Sequence, residues 1–69
     1  MKEQLRKMLQ SRLEMLKDEI ASLPAGMKMD PKQLLRETIE EDLAIARVDG
    51  NQKEIEECSL SLELVDQLE

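Results

Sequence analysis

Apolar residues in the first third of the chain recur at helical spacing. Leu9, Leu13, Leu16, Ile20 and Leu23 step by four, three, four and three. That is a heptad seam, and it predicts an amphipathic helix over about residues 2–22. Leu5 extends the seam, Met8 and Met15 flank it, and most of the remaining positions are charged or Gln, which form helices readily. A seam this narrow suits packing against one other helix.

The stretch "SLPAGMKMDP" interrupts the pattern. Pro24 and Gly26 disfavour a helix interior, so residues 23–30 are predicted to be a loop. Asp30-Pro31-Lys32-Gln33 then marks a helix start. Asp30 can accept from orphan backbone N–H groups, Pro31 has no N–H to waste at the first position, and Gln33 can reach back. The second helix is predicted over 31–48, with Leu35, Ile39, Leu43 and Ala46 on one face and Leu34, Ile45 and Val48 on another.

"DGN" at residues 49–51 is the next break. Gly50 suits the left-handed residue that ends a helix. Asn51 is a good N-cap, and Glu54 three residues later completes a capping-box pattern. The third helix is predicted over 52–68. A link this short folds the two helices back as an αα-hairpin. The stretch "DGNQKEIEECSLSLEL" also resembles the second half of a tetratricopeptide repeat, with Gly50, Asn51 and Ile55 at the turn and first packing position. The preceding helix lacks that repeat's small residue and bulky aromatics, and no 34-residue period recurs. The likeness is therefore to a helical hairpin, and it assigns no family.

Helix three carries more apolar surface than one hairpin partner can cover. Ile55, Cys58, Leu62 and Val65 form one stripe, and Leu60, Leu64 and Leu68 form a second. At ~100° per residue the two span roughly 200° or more. Helix one, a second copy of the chain or another protein could cover the remainder. The fold class expected is all-α, with three helices in one small domain over 1–69, forming a helical bundle or a coiled-coil-like oligomer. The candidate oligomer or partner interface comprises Leu9, Leu13, Leu16 and Ile20 from the first seam, with Leu60, Leu64 and Leu68 from the second stripe.

Composition sharpens this. Among 69 residues there is no Phe, Tyr or Trp, although aromatics bury the most area per side chain. A small core built from Leu, Ile, Val and Met alone favours self-association or a protein partner. Residues 1–35 hold seven basic and five acidic residues, net +2, and residues 36–69 hold three basic and eleven acidic, net −8. That layout favours antiparallel packing, either of helix one on the later part or of one chain on another. Acidic surface repels phosphates, so direct nucleic-acid binding is disfavoured. An acidic decoy for a basic nucleic-acid-binding protein stays open as an alternative.

Candidate chemistry is sparse. There is no His and a single cysteine, Cys58, which excludes an internal disulfide and a zinc site of the usual ligands. Cys58 fits a small buried apolar residue, and Glu56 and Glu57 beside it would raise a thiol pKa. In "RETIEEDLA", Glu37 and Glu41 lie one turn apart, as do Thr38 and Asp42, but a solvated acidic face explains them without a metal. Ser11, Ser22, Ser59 and Ser61 lack triad partners, and no Gly-rich phosphate loop exists. The five methionines fall in the first 29 residues, as core filler or as an adaptable binding surface. The expectation is a non-enzymatic cytoplasmic module without cofactor or metal. Its first residues hold no secretory signal, no segment spans a membrane, and its partner is a protein or a second copy of itself.

Overall fold

A computed structural model describes residues 2–68 of the chain. It is an all-α three-helix bundle: α1 is Lys2–Ala21, α2 is Pro31–Asp49 and α3 is Gln52–Val65. The link predicted as a loop over 23–30 contains a single 3₁₀ turn, Ala25–Met27, closed by Met27 N–H donating to the Pro24 carbonyl at 2.8 Å. α1 stops ahead of Leu23-Pro24, as expected where a proline restrains the residue before it.

The start of α2 follows the predicted cap with one correction. Asp30 Oδ1 accepts from Lys32 N–H at 3.0 Å, and Pro31 occupies the first turn. Gln33 does not reach back. Its amide donates instead to Glu37 Oε1 at 3.3 Å, one turn along the exposed helix face.

The α2–α3 reversal is a complete Schellman turn. Gly50 adopts φ 68°, ψ 25°. Its N–H donates to the Arg47 carbonyl at 3.2 Å, and Asn51 N–H donates to the Ala46 carbonyl at 3.0 Å, so orphan carbonyls at the helix end are satisfied. Asn51 Oδ1 then accepts from Glu54 N–H at 3.3 Å. The reciprocal half of the capping box is not used, because the Asn51 N–H is already committed to Ala46.

α3 ends at Val65, three residues short of the predicted limit. Gln67 N–H donates to the Leu64 carbonyl and Leu68 N–H to the Val65 carbonyl, a tightened turn rather than a continued helix. That turn still returns Leu68 to the core, where it is 3% exposed.

One contiguous cluster joins all three helices. Leu9 and Leu13 come from α1; Leu35, Ile39 and Leu43 from α2; Cys58, Leu64 and Val65 from α3, with Leu68 beyond it. Leu5, Leu16, Ile55, Leu60 and Leu62 pack against its edge. α2 and α3 form the most closely packed pair, and α1 lies across both. Its N-terminal half borders Glu57 and Leu60 of α3, and its C-terminal half borders Leu35 and Thr38 of α2. α1 is therefore antiparallel to α2. The body measures 40 × 26 × 15 Å along its principal axes and exposes 5109 Å². A compact monomer of 8.0 kDa would expose about 4,450 Å². The bundle is flattened, with more surface per unit mass than a compact globule.

Candidate functional site

The apolar excess on α3 resolves into a wedge. Cys58, Ser61, Leu64, Val65 and Leu68 are all buried, and Ile55, Leu60 and Leu62 are half-buried on either side. Both leucine stripes thus flank one buried arc, covered by α2 on one side and α1 on the other. The centre line of that arc is Ser61, a residue the spacing of leucines gives no reason to single out. Its small side chain admits close helix approach, and its Oγ donates to the Glu57 carbonyl at 2.8 Å. This removes the cost of an unpaired buried hydroxyl.

The seven candidate interface residues fall into two sets. Leu9, Leu13, Ile20, Leu64 and Leu68 are buried within the single chain, each at 7% exposure or less. Of the seven, only Leu16 and Leu60 remain partly exposed. A buried leucine has little area to offer another molecule. Beyond Leu16 and Leu60, the exposed apolar surface of the chain therefore lies at other residues.

Methionine makes up most of it, with Ile45 and Val48. No leucine among the described residues is exposed, whereas Met8, Met15, Met27 and Met29 are each at least half exposed. None of the four is core filler; Met1 lies outside the described residues. Leu5, Met8 and Leu60, with Gln4 and Glu57 at the rim, line a mostly apolar groove of about 310 Å³ between α1 and α3. Along the same side of α1, Met15 and Leu16 line a smaller groove against Leu35 of α2. Of the second apolar face predicted for α2, Leu34 is half-buried, while Ile45 and Val48 are 60% and 87% exposed.

The charged groups are solvated. Every described acidic residue between 36 and 68 is exposed. Arg36 pairs with Asp66, pinning the start of α2 to the end of α3, and Lys17 Nζ lies 3.4 Å from Glu14 Oε1 within α1. Exposed pairs of this kind contribute about 0–1 kcal/mol each. Among the described residues no group of His, Cys, Asp or Glu is arranged to hold a metal ion, and no helix is long and apolar enough to cross a membrane.

Cys58 is buried in the core. Burial pushes its thiol above the ordinary value, and the nearby charges of Glu54, Asp42 and Glu57 push it further the same way. The thiolate is the reactive form, so Cys58 is expected to be inert at neutral pH while the chain is folded. A thiol reagent should label it slowly in buffer and rapidly in denaturant. Equal rates in both would show that α3 does not bury it. The raised pKa also sets a pH trend. Between the unfolded and folded thiol pKa values the unfolded chain loses its proton first, so this group's contribution to stability falls as pH rises through that window.

No family model, curated protein or solved structure matches the chain.

Proposed function

We propose that this chain is a small non-catalytic protein–protein interaction module, an adaptor, chaperone or regulator that docks apolar helix surface against a protein partner. The observation that carries this reading is the separation of leucine from methionine. Leucines fill or edge the core, and all four described methionines are solvent-facing. Methionine is unbranched and polarizable, so it adapts to irregular partner surfaces at small conformational cost to the fold. The groove of Leu5, Met8 and Leu60 supplies a concave place for a partner's apolar side chain. A reducing, cytoplasmic setting suits a lone buried thiol.

A second reading keeps one supporting observation. The exposed carboxylates of α2 and α3 form an acidic surface, suited to occupying the basic face of a nucleic-acid-binding protein. The two readings separate by salt. The chain is used as bait, and the affinity of what it retains is measured from low to moderate ionic strength. Apolar docking predicts weak salt dependence, and charge mimicry predicts a steep loss of affinity. A chain that neither binds another protein nor self-associates would overturn the interaction-module reading.

A further inference from the structure

Methionines stand at positions 1, 8 and 15, seven residues apart. Within α1, Met8 and Met15 project away from Leu9, Leu13 and Ile20 and are 53% and 63% exposed. Gln4, Ser11 and Asp18 fill the intermediate three-four steps and are exposed as well. α1 therefore carries, beside its leucine seam, a second and sparser row at heptad spacing in which methionine alternates with polar residues. The leucine seam faces the α2–α3 hairpin, and the methionine row, about 100° round the helix from it at the edge of that contact, has the spacing that a second helix packs against.

Charge identifies that second helix. Residues 2–12 hold Lys2, Arg6, Lys7 and Arg12 against Glu3, net +3. Residues 13–21 hold Lys17 against Glu14, Asp18 and Glu19, net −2. A uniformly basic or acidic partner helix would match one half of α1 and be repelled by the other. A second α1 laid parallel would set like charge beside like along its whole length. A second α1 laid antiparallel sets each basic half beside an acidic half, and opposes the two helix dipoles as well.

We propose that the occupant of this seam is a second copy of the chain, docked α1 to α1 in antiparallel, two-fold fashion. The axis lies near Ser11, whose small side chain permits close approach, and Met8 of each copy lies near Met15 of the other. The contact is self-complementary and closes at two copies. Twenty residues of helix extend about 30 Å, and such a strip is smaller than a standard interface of about 800 Å² per partner. The dimer is therefore reversible, not obligate, and the chain folds around its own core without it. This inference rests on the interaction-module reading and supplies that reading with one partner.

The test is sedimentation equilibrium of the full chain from micromolar to millimolar concentration, with the variants M8K and M15E. The parent should rise from 8.0 kDa towards twice that mass. Each variant alone should associate at least tenfold more weakly. An equimolar mixture of the two should recover the dimer. In an antiparallel pair the M8K site of one copy meets the M15E site of the other at one end, while unsubstituted Met15 and Met8 meet at the other end. A parallel pair offers no such rescue. Both positions are exposed, so thermal melts of the variants should match the parent; M8Q and M15Q serve where a charged variant fails to fold. A parent that stays monomeric, association indifferent to both substitutions, or a mixture that stays dissociated would each overturn the proposal. Should the parent stay monomeric yet bind another protein, the self-docking is overturned and the interaction-module reading stands. A parent that dimerises regardless of M8K and M15E overturns this seam alone.

Discussion

Leu64→Ala is expected to cost the isolated chain a large part of its folding stability while its helix boundaries persist in whatever remains folded. Leu64 is 6% exposed and belongs to the cluster that joins all three helices. Truncating a leucine at such a site costs about 2–5 kcal/mol, the upper end applying where neighbours cannot collapse into the space. A chain of this length has only about 3–10 kcal/mol to lose. The thermal midpoint should fall by roughly 10–40 °C. Circular dichroism melts across a concentration series provide the measurement. A drop that is the same at every concentration reports core loss within one chain. A melt that matches the parent, together with weakened association, would place Leu64 at an interface and overturn the packing described above. Val65, at 0% exposure, is the neighbouring control and should respond in the same direction.

The three helices are legible in the sequence because each has a local physical signature. Asp30-Pro31 starts α2 and Gly50-Asn51 reverses the chain; the observed hydrogen bonds at both places use the residues that mark them. The leucine seam of α1 is legible for the same reason, since heptad spacing belongs to one helix alone. What local pattern does not carry is how three helices share a core. The spacing of Leu60, Leu64 and Leu68 shows that α3 has excess apolar surface, and it cannot say what covers it. The fold answers by laying α1 across the hairpin, so that Ser61 becomes the centre of the buried arc. A serine among leucines looks like a break in a stripe until a third helix is placed against it. The limit of α3 is hidden for a related reason. Leu68 continues the spacing of the stripe, yet it reaches the core from a tightened turn, and spacing alone does not distinguish that turn from a helix.

The exposure of the methionine row does not follow from spacing. Met8 and Met15 flank the leucine seam on a helical wheel, and an apolar residue beside a seam is ordinarily its shoulder. Only the observed burial separates the two sets, because Leu9 and Leu13 are at 2% and 0% exposure while Met8 and Met15 exceed half. Leucine's branched, well-defined rotamers suit a fixed core, whereas methionine's flexible chain suits a surface that must fit another molecule. In a chain without aromatics, this division separates the apolar surface buried by folding from the apolar surface that the proposed docking would use.

Gly50→Val should loosen the hairpin on which that core depends. Gly50 holds φ 68°, the one positive φ among the described residues. An L-residue pays about 1–2 kcal/mol to occupy that region, and a β-branched side chain is the least tolerated there. Space is not the obstacle, since a Cβ built on Gly50 meets nothing within 4 Å. The cost is therefore conformational. It falls on the two hydrogen bonds, to Arg47 and Ala46, that end α2 and aim α3 back along it. Gly26 provides the internal control. Its neighbourhood is equally open, but its φ is not positive. Gly26→Ala should thus be neutral or stabilise by up to about 1 kcal/mol through the unfolded chain. Denaturant melts of both variants, compared with the parent, test the contrast. Equal stability of Gly50→Val and Gly26→Ala would mean that the left-handed residue is not what turns α2 into α3, and that the reversal is imposed by core packing alone.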